Sequence, residues 1–292
     1  MADLRIWKYH GTGNDFVMIE DLDDVRPLSP QLVVALCDRR FGVGADGVIR
    51  VVRADEGAGV SFFMDHWNAD GTTAEMCGNG IRCLSKLVRE HGHTGRDEFD
   101  VLTRAGVKHL SLDTADGLVR AVTVGMGPAK LAKRDIPMTG DDPDAPFVAQ
   151  PFEVAGRTFT ATAVSMGNPH VVLFVDEDPQ DVDVRTLGPA AENDPRFPNK
   201  TNVEFVRVLD GVVNVRVWER GVGETLACGT GACASLVASN EAGLVPARAT
   251  VRFPGGELVV ERSQDEVSLT GPAERVFDAV LDEAWMRGRG LA

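Results

Sequence analysis

The stretch AEMCGNGIRC (residues 74–83) returns in altered form as TLACGTGACA (residues 225–234), with a cysteine before Gly-x-Gly in both. Each stretch leads into an apolar, helix-forming run. The first turn of a helix has unpaired N–H groups and the positive end of the helix dipole, so it stabilises an anion. A cysteine in that place can have its pKa lowered from ~8.5 to roughly 3.5–7.5. The two stretches therefore predict two helices that each begin beside a reactive thiol.

An internal repeat connects the two stretches. An offset of 151 residues aligns them without a gap. The identities are Trp67 with Trp218, Cys77 with Cys228, Gly78 with Gly229, Gly80 with Gly231, Glu90 with Glu241 and Gly92 with Gly243. The strings GNDFV (13–17) and GNPHVV (167–172) precede the two cysteines by similar distances. The repeat predicts two related halves that face each other.

Length and charge limit the class of protein. The chain has 292 residues and is 43% apolar, which is enough to bury a core and to form two domains. A net charge of −14 argues against nucleic acid and anionic membranes as partners, because both bind clustered Lys and Arg. We see no apolar run near the ~18 residues that span a bilayer and no secretion-signal pattern. We expect a cytoplasmic protein with a small-molecule substrate.

The cysteines are expected to be free thiols. There are five, an odd number, and none of their spacings gives the paired CxxC pattern of a zinc site. Free thiols are typical of a reducing compartment. Cys37, Cys83 and Cys233 lie inside predicted helices, where a buried cysteine behaves as a small apolar side chain. Only Cys77 and Cys228 have the helix-start setting of a reactive thiol.

Residue patterns predict an α+β architecture with many short strands. Strands are expected at 4–9, 47–52, 60–67, 118–125, 170–175, 213–218 and 257–261, where β-branched or aromatic runs end at turn residues. Helices are expected at 29–40, with Ser29 as N-cap and Pro30 at the first helical position, and after each CGxG motif. The Pro-, Asp- and Gly-rich segment 133–147 is expected to be an exposed loop.

Three other features have ordinary structural interpretations. GVGADG (42–47) satisfies GxGxxG but leads into a strand instead of a helix, so it indicates a turn and not a dinucleotide site. Trp67 and Trp218 are expected to anchor the core. His66 lies on a predicted strand and is expected to be structural, whereas His170 is open to either a structural or a functional role.

Two thiols that symmetric halves present to one cleft indicate a specific reaction. One thiolate can remove a proton from a carbon centre while the opposite thiol returns a proton to the other face. That exchange inverts a stereocentre. The pair must hold one proton between them, because a thiolate near a second thiol makes the second harder to ionise.

Several motifs together resemble the diaminopimelate epimerase family: GTGNDFV (11–17), FGVGADG (41–47), WNADGTTAEMCGNGIRC (67–83), GNPH (167–170), TNVEF (201–205) and WERGVGETLACGTGACA (218–234). The resemblance implies two pseudo-symmetric α/β domains with the active site in the cleft between them. It implies residues 1–127 with 274–292 as the first half and 128–273 as the second. It also implies a homodimer, no pyridoxal phosphate or other cofactor, no metal, and conversion of LL- to meso-diaminopimelate for lysine and peptidoglycan synthesis.

The resemblance also implies residue roles. Cys77 would be the base toward the LL substrate and Cys228 the acid, with His170 and Glu219 close to the thiols. Helix-end donors for the reacting α-carboxylate would be Gly78, Asn79, Gly229 and Thr230. The distal amino acid end would be read by Asn14, Asn68, Asn168, Asn202, Glu219 and Arg220. In one departure, Gly47 stands where some members carry a glutamine, so a contact from that side chain is absent.

Two alternatives remain open from the sequence. A proline-type racemase shares the fold and the two-thiol mechanism, but typically has histidine after the first Cys-Gly, where this chain has Asn79. A thiol-bearing binding or redox protein without catalytic activity is the second alternative. Such a protein would not need paired glycine turns and would keep its ligand after replacement of either cysteine.

Overall fold

The computed structural model describes residues 4–54 and 59–291, which form two compact units. The first unit extends to Val124 and takes up the chain again from Gly271, and the second unit is Gly125–Thr270. The helices are α1 (Pro30–Cys37), α2 (Gly78–Glu90), α3 (Val184–Glu192), α4 (Gly229–Glu241) and α5 (Glu283–Arg287). That the units are independent domains with boundaries at 127/128 and 273/274 stays a prediction.

The strands are numbered in chain order. They are β1 (Leu4–Gly11), β2 (Asn14–Glu20), β3 (Gly47–Arg53), β4 (Phe62–Asn68), β5 (Glu98–Thr103), β6 (Gly106–Ala115), β7 (Leu118–Gly127), β8 (Gln150–Val154), β9 (Arg157–Ser165), β10 (Pro169–Phe174), β11 (Asn202–Leu209), β12 (Val212–Glu219), β13 (Gly223–Thr225), β14 (Arg248–Phe253), β15 (Gly256–Arg262), β16 (Val267–Gly271) and β17 (Glu274–Leu281). All seven strands predicted from the sequence are present.

The strand pairing repeats in the two units. In the first unit the strands pair in the order β17-β1-β2-β3-β4-β5-β6-β7, with β2–β3 and β4–β5 parallel and the other pairs antiparallel. In the second the order is β8-β9-β10-β11-β12-β14-β15-β16, with β10–β11 and β12–β14 parallel. The parallel pairs occupy the same positions in both orders. The internal repeat predicted from the sequence is therefore confirmed at the level of topology.

Helices connect the parallel strands, as parallel pairing requires. α1 and α3 cross over within the first parallel pair of each unit, and α2 and α4 within the second. The bounds of α2 and α4 differ by the repeat offset of 151, so the aligned glycines mark the same helical positions. α4 packs against six strands of its unit, and α2 packs against β1, β2, β3 and β4. Both helices are buried over most of their length.

The predicted first helix is shorter than expected. Ser29 caps α1 by accepting a hydrogen bond from the N–H of Leu32 at 3.2 Å, as predicted. The helix ends at Cys37 and not at residue 40, because Asp38 leaves the helical conformation. Its carboxylate instead accepts bonds from the N–H groups of Arg40 and Phe41, at 2.7 and 2.8 Å.

The segment 133–147 corrects a prediction. It begins with a short 3-10 turn, Lys133–Asp135, and three of its apolar side chains are buried: Ile136, Met138 and Phe147. These three side chains belong to the core of the second unit. The prediction of an exposed loop was wrong at these three positions. The segment is rich in polar residues, so its three buried apolar residues gave no clear signal in the sequence. The C-terminal strand β17 pairs antiparallel with β1.

Candidate active site

Cys77 is the N-cap of α2. Its backbone is extended, with φ −139°, and its sulfur accepts a hydrogen bond from the N–H of Gly80 at 3.4 Å. Gly80 has no space for a side chain, because a Cβ there would lie 2.5 Å from Cδ1 of Ile49. Because Gly80 has no side chain, the first turn of α2 can pack closely against β3, and the N–H of Gly80 can donate to the sulfur. The prediction that a helix begins directly after this thiol is confirmed.

Asn14 joins Cys77 to the start of the helix. Its Oδ1 lies 3.6 Å from the Cys77 sulfur and 3.3 Å from Nδ2 of Asn79. Nδ2 of Asn14 donates to Asp46 at 2.8 Å, and this bond fixes the orientation of the amide. Three predicted site residues, Asn14, Cys77 and Asn79, are therefore brought together in the first unit. Asp46 was missed, although it lies within the quoted motif FGVGADG.

Cys228 is the N-cap of α4 in the second unit. It is buried, and its sulfur accepts from the N–H of Gly231 at 3.4 Å. Oγ1 of Thr230 also lies 3.4 Å from the sulfur. The helix predicted after this cysteine is confirmed. Since both thiols occupy the same position in repeated topology, their local geometry is matched.

Burial and nearby carboxylates raise the pKa of Cys228 well above its usual value. Burial contributes most, followed by Glu219 and Glu204. Burial also raises the pKa of Glu219, although bonds from Thr225 and Cys228 oppose that shift. Cys228 is therefore a protonated thiol at neutral pH in the absence of a ligand. That state is the one required of a proton donor.

His170 and Glu204 form a fully buried pair beside this thiol. Nδ1 of His170 lies 2.7 Å from Oε1 of Glu204, and neither side chain has solvent exposure. Nε2 of His170 lies 3.0 Å from Oδ1 of Asn168. Nδ2 of Asn168 donates to Oγ1 of Thr230 at 3.3 Å. His170, Asn168, Thr230 and Cys228 thus belong to one hydrogen-bonded group.

Glu204 is the main residue that the sequence interpretation missed. It lies within the quoted motif TNVEF, on a strand that is otherwise apolar and buried from Val203 to Val206. A single carboxyl in such a run is a detectable signal, because charged side chains are almost never fully buried without a partner.

The remaining predicted ligands form hydrogen bonds outside these two groups. Asn68 is exposed at the end of β4, and its amide donates to Thr72 at 3.0 Å. The buried Asn202 donates to the carbonyl of Pro169 at 2.8 Å and accepts from the N–H of Arg220 at 2.9 Å. The Arg220 guanidinium is exposed and donates to the carbonyl of Asn199 at 3.1 Å. Gly78 and Gly229 are the first residues of α2 and α4.

The cysteines and tryptophans that were interpreted as structural are buried or pack against a hydrophobic core. Cys37, Cys83 and Cys233 are buried. Burial raises the pKa of Cys37 and of Cys83 to about 12, so both are inert thiols. Trp67 and Trp218 pack against the cores of the first and second units.

One cluster of potential metal ligands lies at the other end of α2. Glu20, His91 and His93 place their ligand atoms within 4.8 Å of one another. Nε2 of His93 lies 2.9 Å from Oε1 of Glu20, and Nδ1 of His91 contacts the same oxygen. These mutual hydrogen bonds account for the cluster.

No helix within residues 4–54 and 59–291 is long and apolar enough to cross a membrane.

Sequence comparison decides the family. The profile described as diaminopimelate epimerase matches residues 6–132 and 162–276. The chain belongs to the diaminopimelate epimerase family. A diaminopimelate epimerase of Synechococcus sp. (strain JA-2-3B'a(2-13)) is 48% identical over 94% of this chain and 96% of its own length. The diaminopimelate epimerase of Thioalkalivibrio sulfidiphilus is 46% identical, over 96% and 99% respectively. As a member of the diaminopimelate epimerase family, the chain is an isomerase.

Solved structures agree on the fold of diaminopimelate epimerases. A hydroxyproline epimerase from Agrobacterium vitis superposes with a TM-score of 0.66 over 97% of this chain and 94% of its own, at 15% identity. A phenazine biosynthesis protein of the PhzF family from Bacillus anthracis gives a TM-score of 0.68 over 97% and 100%, also at 15% identity. At such low identity these likenesses establish the fold and leave the substrate to other arguments.

Proposed function

We propose that Cys77 and Cys228 form a two-base pair that interconverts LL- and meso-diaminopimelate without a cofactor. The interconversion of diaminopimelate stereoisomers is the activity of the family. The observation that supports the thiol pair is the matched placement of both cysteines as N-caps of equivalent helices. Cys77 removes the α-proton of the LL substrate, and Cys228 gives a proton to the opposite face. In the reverse direction the two roles exchange.

The helix starts stabilise the charge that develops on the substrate. As the α-proton leaves, negative charge spreads onto the α-carboxylate. The first turn of a helix offers N–H groups that have no acceptor within the helix, so we assign the backbone N–H groups of Gly78, Asn79, Gly229 and Thr230 to this carboxylate. Donors already in position need no reorganisation at the moment of reaction.

The distal end of the substrate carries a second carboxylate and ammonium. We assign the carboxylate to Arg220, whose guanidinium is exposed and offers paired donors. Glu219 and the amides of Asn14, Asn68, Asn168 and Asn202 are assigned to the remaining polar groups. A proline-type racemase would share the fold and the two-thiol mechanism, but it typically has histidine where this chain has Asn79, which favours the diaminopimelate substrate. We place the activity in lysine and peptidoglycan synthesis in the cytoplasm.

Proton NMR tests the proposal. Purified, reduced protein is mixed with LL-diaminopimelate in heavy water without pyridoxal phosphate. We expect meso product with deuterium at one α-carbon.

Cys77→Ala and Cys228→Ala should each lower net epimerisation by about 10²- to 10⁴-fold, the contribution of a positioned acid or base. Cys37→Ala is the matched control and should stay near wild type. Folded wild-type protein without exchange or product would reject the substrate, and normal turnover by either active-site variant would remove that thiol from the mechanism.

A further inference from the structure

A continuous hydrogen-bonded chain leads from Glu204 to the Cys228 sulfur. Its contacts are Glu204 Oε1 to His170 Nδ1 at 2.7 Å, His170 Nε2 to Asn168 Oδ1 at 3.0 Å, Asn168 Nδ2 to Thr230 Oγ1 at 3.3 Å, and Thr230 Oγ1 to Cys228 Sγ at 3.4 Å. The chain therefore connects a buried carboxyl on β11 to the N-cap of α4.

The chemistry of the amide fixes the direction of this chain. An amide oxygen only accepts and an amide nitrogen only donates. Since Oδ1 of Asn168 faces His170, Nε2 of that histidine carries a proton. Since Nδ2 of Asn168 donates to Thr230, the hydroxyl proton of Thr230 is free to point at the sulfur. Every bond from Nε2 of His170 onward then donates toward Cys228, which favours its thiolate form.

The Glu204–His170 contact requires one shared proton. Nε2 of His170 is already protonated, so Nδ1 is either bare or the second N–H of an imidazolium. A bare Nδ1 facing a carboxylate would place two acceptors 2.7 Å apart. The proton therefore resides on Glu204 as a carboxylic acid or on His170 opposite a carboxylate. In either form, Glu204 holds the histidine in the state that donates to Asn168.

The surroundings of Glu204 are shaped around its carboxyl group. A Cβ on Gly231 would lie 2.8 Å from Oε1 of Glu204, so the glycine makes space for that oxygen. Oε2 of Glu204 is buried and has no hydrogen-bond partner among the described residues. A buried oxygen without a partner is destabilising, so its retention indicates a role beyond packing.

The first unit lacks this arrangement at its own thiol. A Cβ on Gly80, the repeat equivalent of Gly231, would meet Ile49 at 2.5 Å and Phe16 at 3.4 Å. Apolar side chains thus stand where the second unit has Glu204. The carboxyl is a property of the Cys228 side and not of the repeated fold.

We propose that Glu204 is a positioning residue, which acts through His170, Asn168 and Thr230 to present a hydrogen bond to the thiolate form of Cys228. This inference rests on the proposed two-thiol function. Cys228 is a thiolate after it has protonated the substrate and before it removes a proton in the reverse direction. The chain therefore supports both directions of the reaction.

The test compares Glu204→Gln with Glu204→Leu. The glutamine amide can donate to Nδ1 of His170 and so keeps the protonated Nε2, whereas leucine removes the partner at similar volume. We expect Glu204→Gln to retain kcat/KM within about threefold, and Glu204→Leu to lower it by about 10- to 100-fold, the loss of one or two hydrogen bonds. Equal loss in both variants would overturn the proposal.

A second readout is independent of turnover. In a Cys77→Ser background, the ultraviolet thiolate absorbance of Cys228 is titrated in Glu204→Gln and in Glu204→Leu. Both variants remove the carboxylate that raises the pKa of Cys228, so their comparison isolates the hydrogen-bonded chain. The charged groups that act on this sulfur are Glu219 from β12 and Glu204 from β11, and His170 from β10 pairs with Glu204. Loss of the donor should place the midpoint for Cys228 about one unit higher in Glu204→Leu than in Glu204→Gln, a tenfold change in the equilibrium. Equal midpoints contradict the inference.

Thr230→Val tests the chain even if the leucine variant does not fold, because it should raise the midpoint for Cys228 on its own, and an unchanged midpoint would overturn the proposal. Where both variants fold, its effect should not add to that of Glu204→Leu, because both interrupt the same chain. Additive effects would overturn the proposal.

Glu192→Gln is the matched control, since Glu192 is a buried carboxyl that instead binds Trp218 at 2.7 Å. Failure of the proposed function is distinct: the wild type itself would then show no epimerisation.

Discussion

The atoms around Gly47 leave no space for a side chain at this position. A Cβ on this glycine would lie 2.6 Å from the carbonyl oxygen of Trp67 and 3.2 Å from Nε2 of His66. We expect Gly47→Ala to lower the free energy of unfolding by about 1–3 kcal/mol, the usual effect of an overpacked core. Urea unfolding measures it. Gly95→Ala is the control, because nothing lies within 4 Å of its Cβ. Equal stability of the two variants would refute the steric explanation.

The sequence alone identified the site residues at the helix starts, but it did not identify Glu204, which supports one of them from a neighbouring strand. Cys77 and Cys228 were recognisable because N-cap position and following glycines form a local pattern. Glu204 lies 24 residues before Cys228 in the sequence and reaches it only through the pairing of β10 with β11. Its role depends on tertiary contacts, which local patterns do not contain.

The strands that surround α2 contain a pH-sensitive group. His66 on β4 is buried, and burial followed by Arg104 lowers its pKa from 6.5 to about 4. Its Nδ1 has no hydrogen-bond partner among the described residues. Between these pH values the unfolded chain binds a proton that the folded chain excludes. Stability should therefore fall by about 3 kcal/mol from this group as the pH drops from 6.5 to 4.

Urea unfolding across this pH range measures the dependence. His66→Gln should reduce the slope whatever its effect on stability at pH 7, because the excluded proton is gone. His109→Asn is the control, since His109 is an exposed residue that pairs with Asp100 at 2.8 Å. A slope that survives His66→Gln would show that another group is responsible.

The seven predicted strands and the three predicted helices have local sequence signals, whereas α3 was not predicted. Its interior contains Gly188 and Pro189, which both disfavour helices. Asp183 caps the helix through the N–H of Thr186 at 3.2 Å. A Cβ on Gly188 would lie 2.6 Å from Cγ of Trp218, so the glycine is required for packing against β12. Tertiary packing thus overrides local propensity in this element.

At the scale of the whole molecule, the exposed apolar side chains of the last strand favour it as the interface of the predicted homodimer. β17 pairs with β1, yet Val276, Phe277 and Val280 are exposed by 56%, 42% and 57%. Adjacent exposed apolar side chains on one strand are typical of an interface. Val276 is the extra residue of a β-bulge opposite Lys8 and Tyr9, and Val280 lies in the regularly paired part of the strand. We therefore expect the predicted homodimer to use β17.

Light scattering after gel filtration tests this expectation. The wild type should have the mass of two chains, and Val276→Glu with Val280→Glu should give monomers, since burying unpaired carboxylates in an interface is strongly unfavourable. Leu209→Glu is the control: Leu209 is 52% exposed but lies at the end of β11 in the second unit. Its dimer should persist. A dimer that survives both β17 changes would place the interface elsewhere, and a monomeric wild type would refute the homodimer itself.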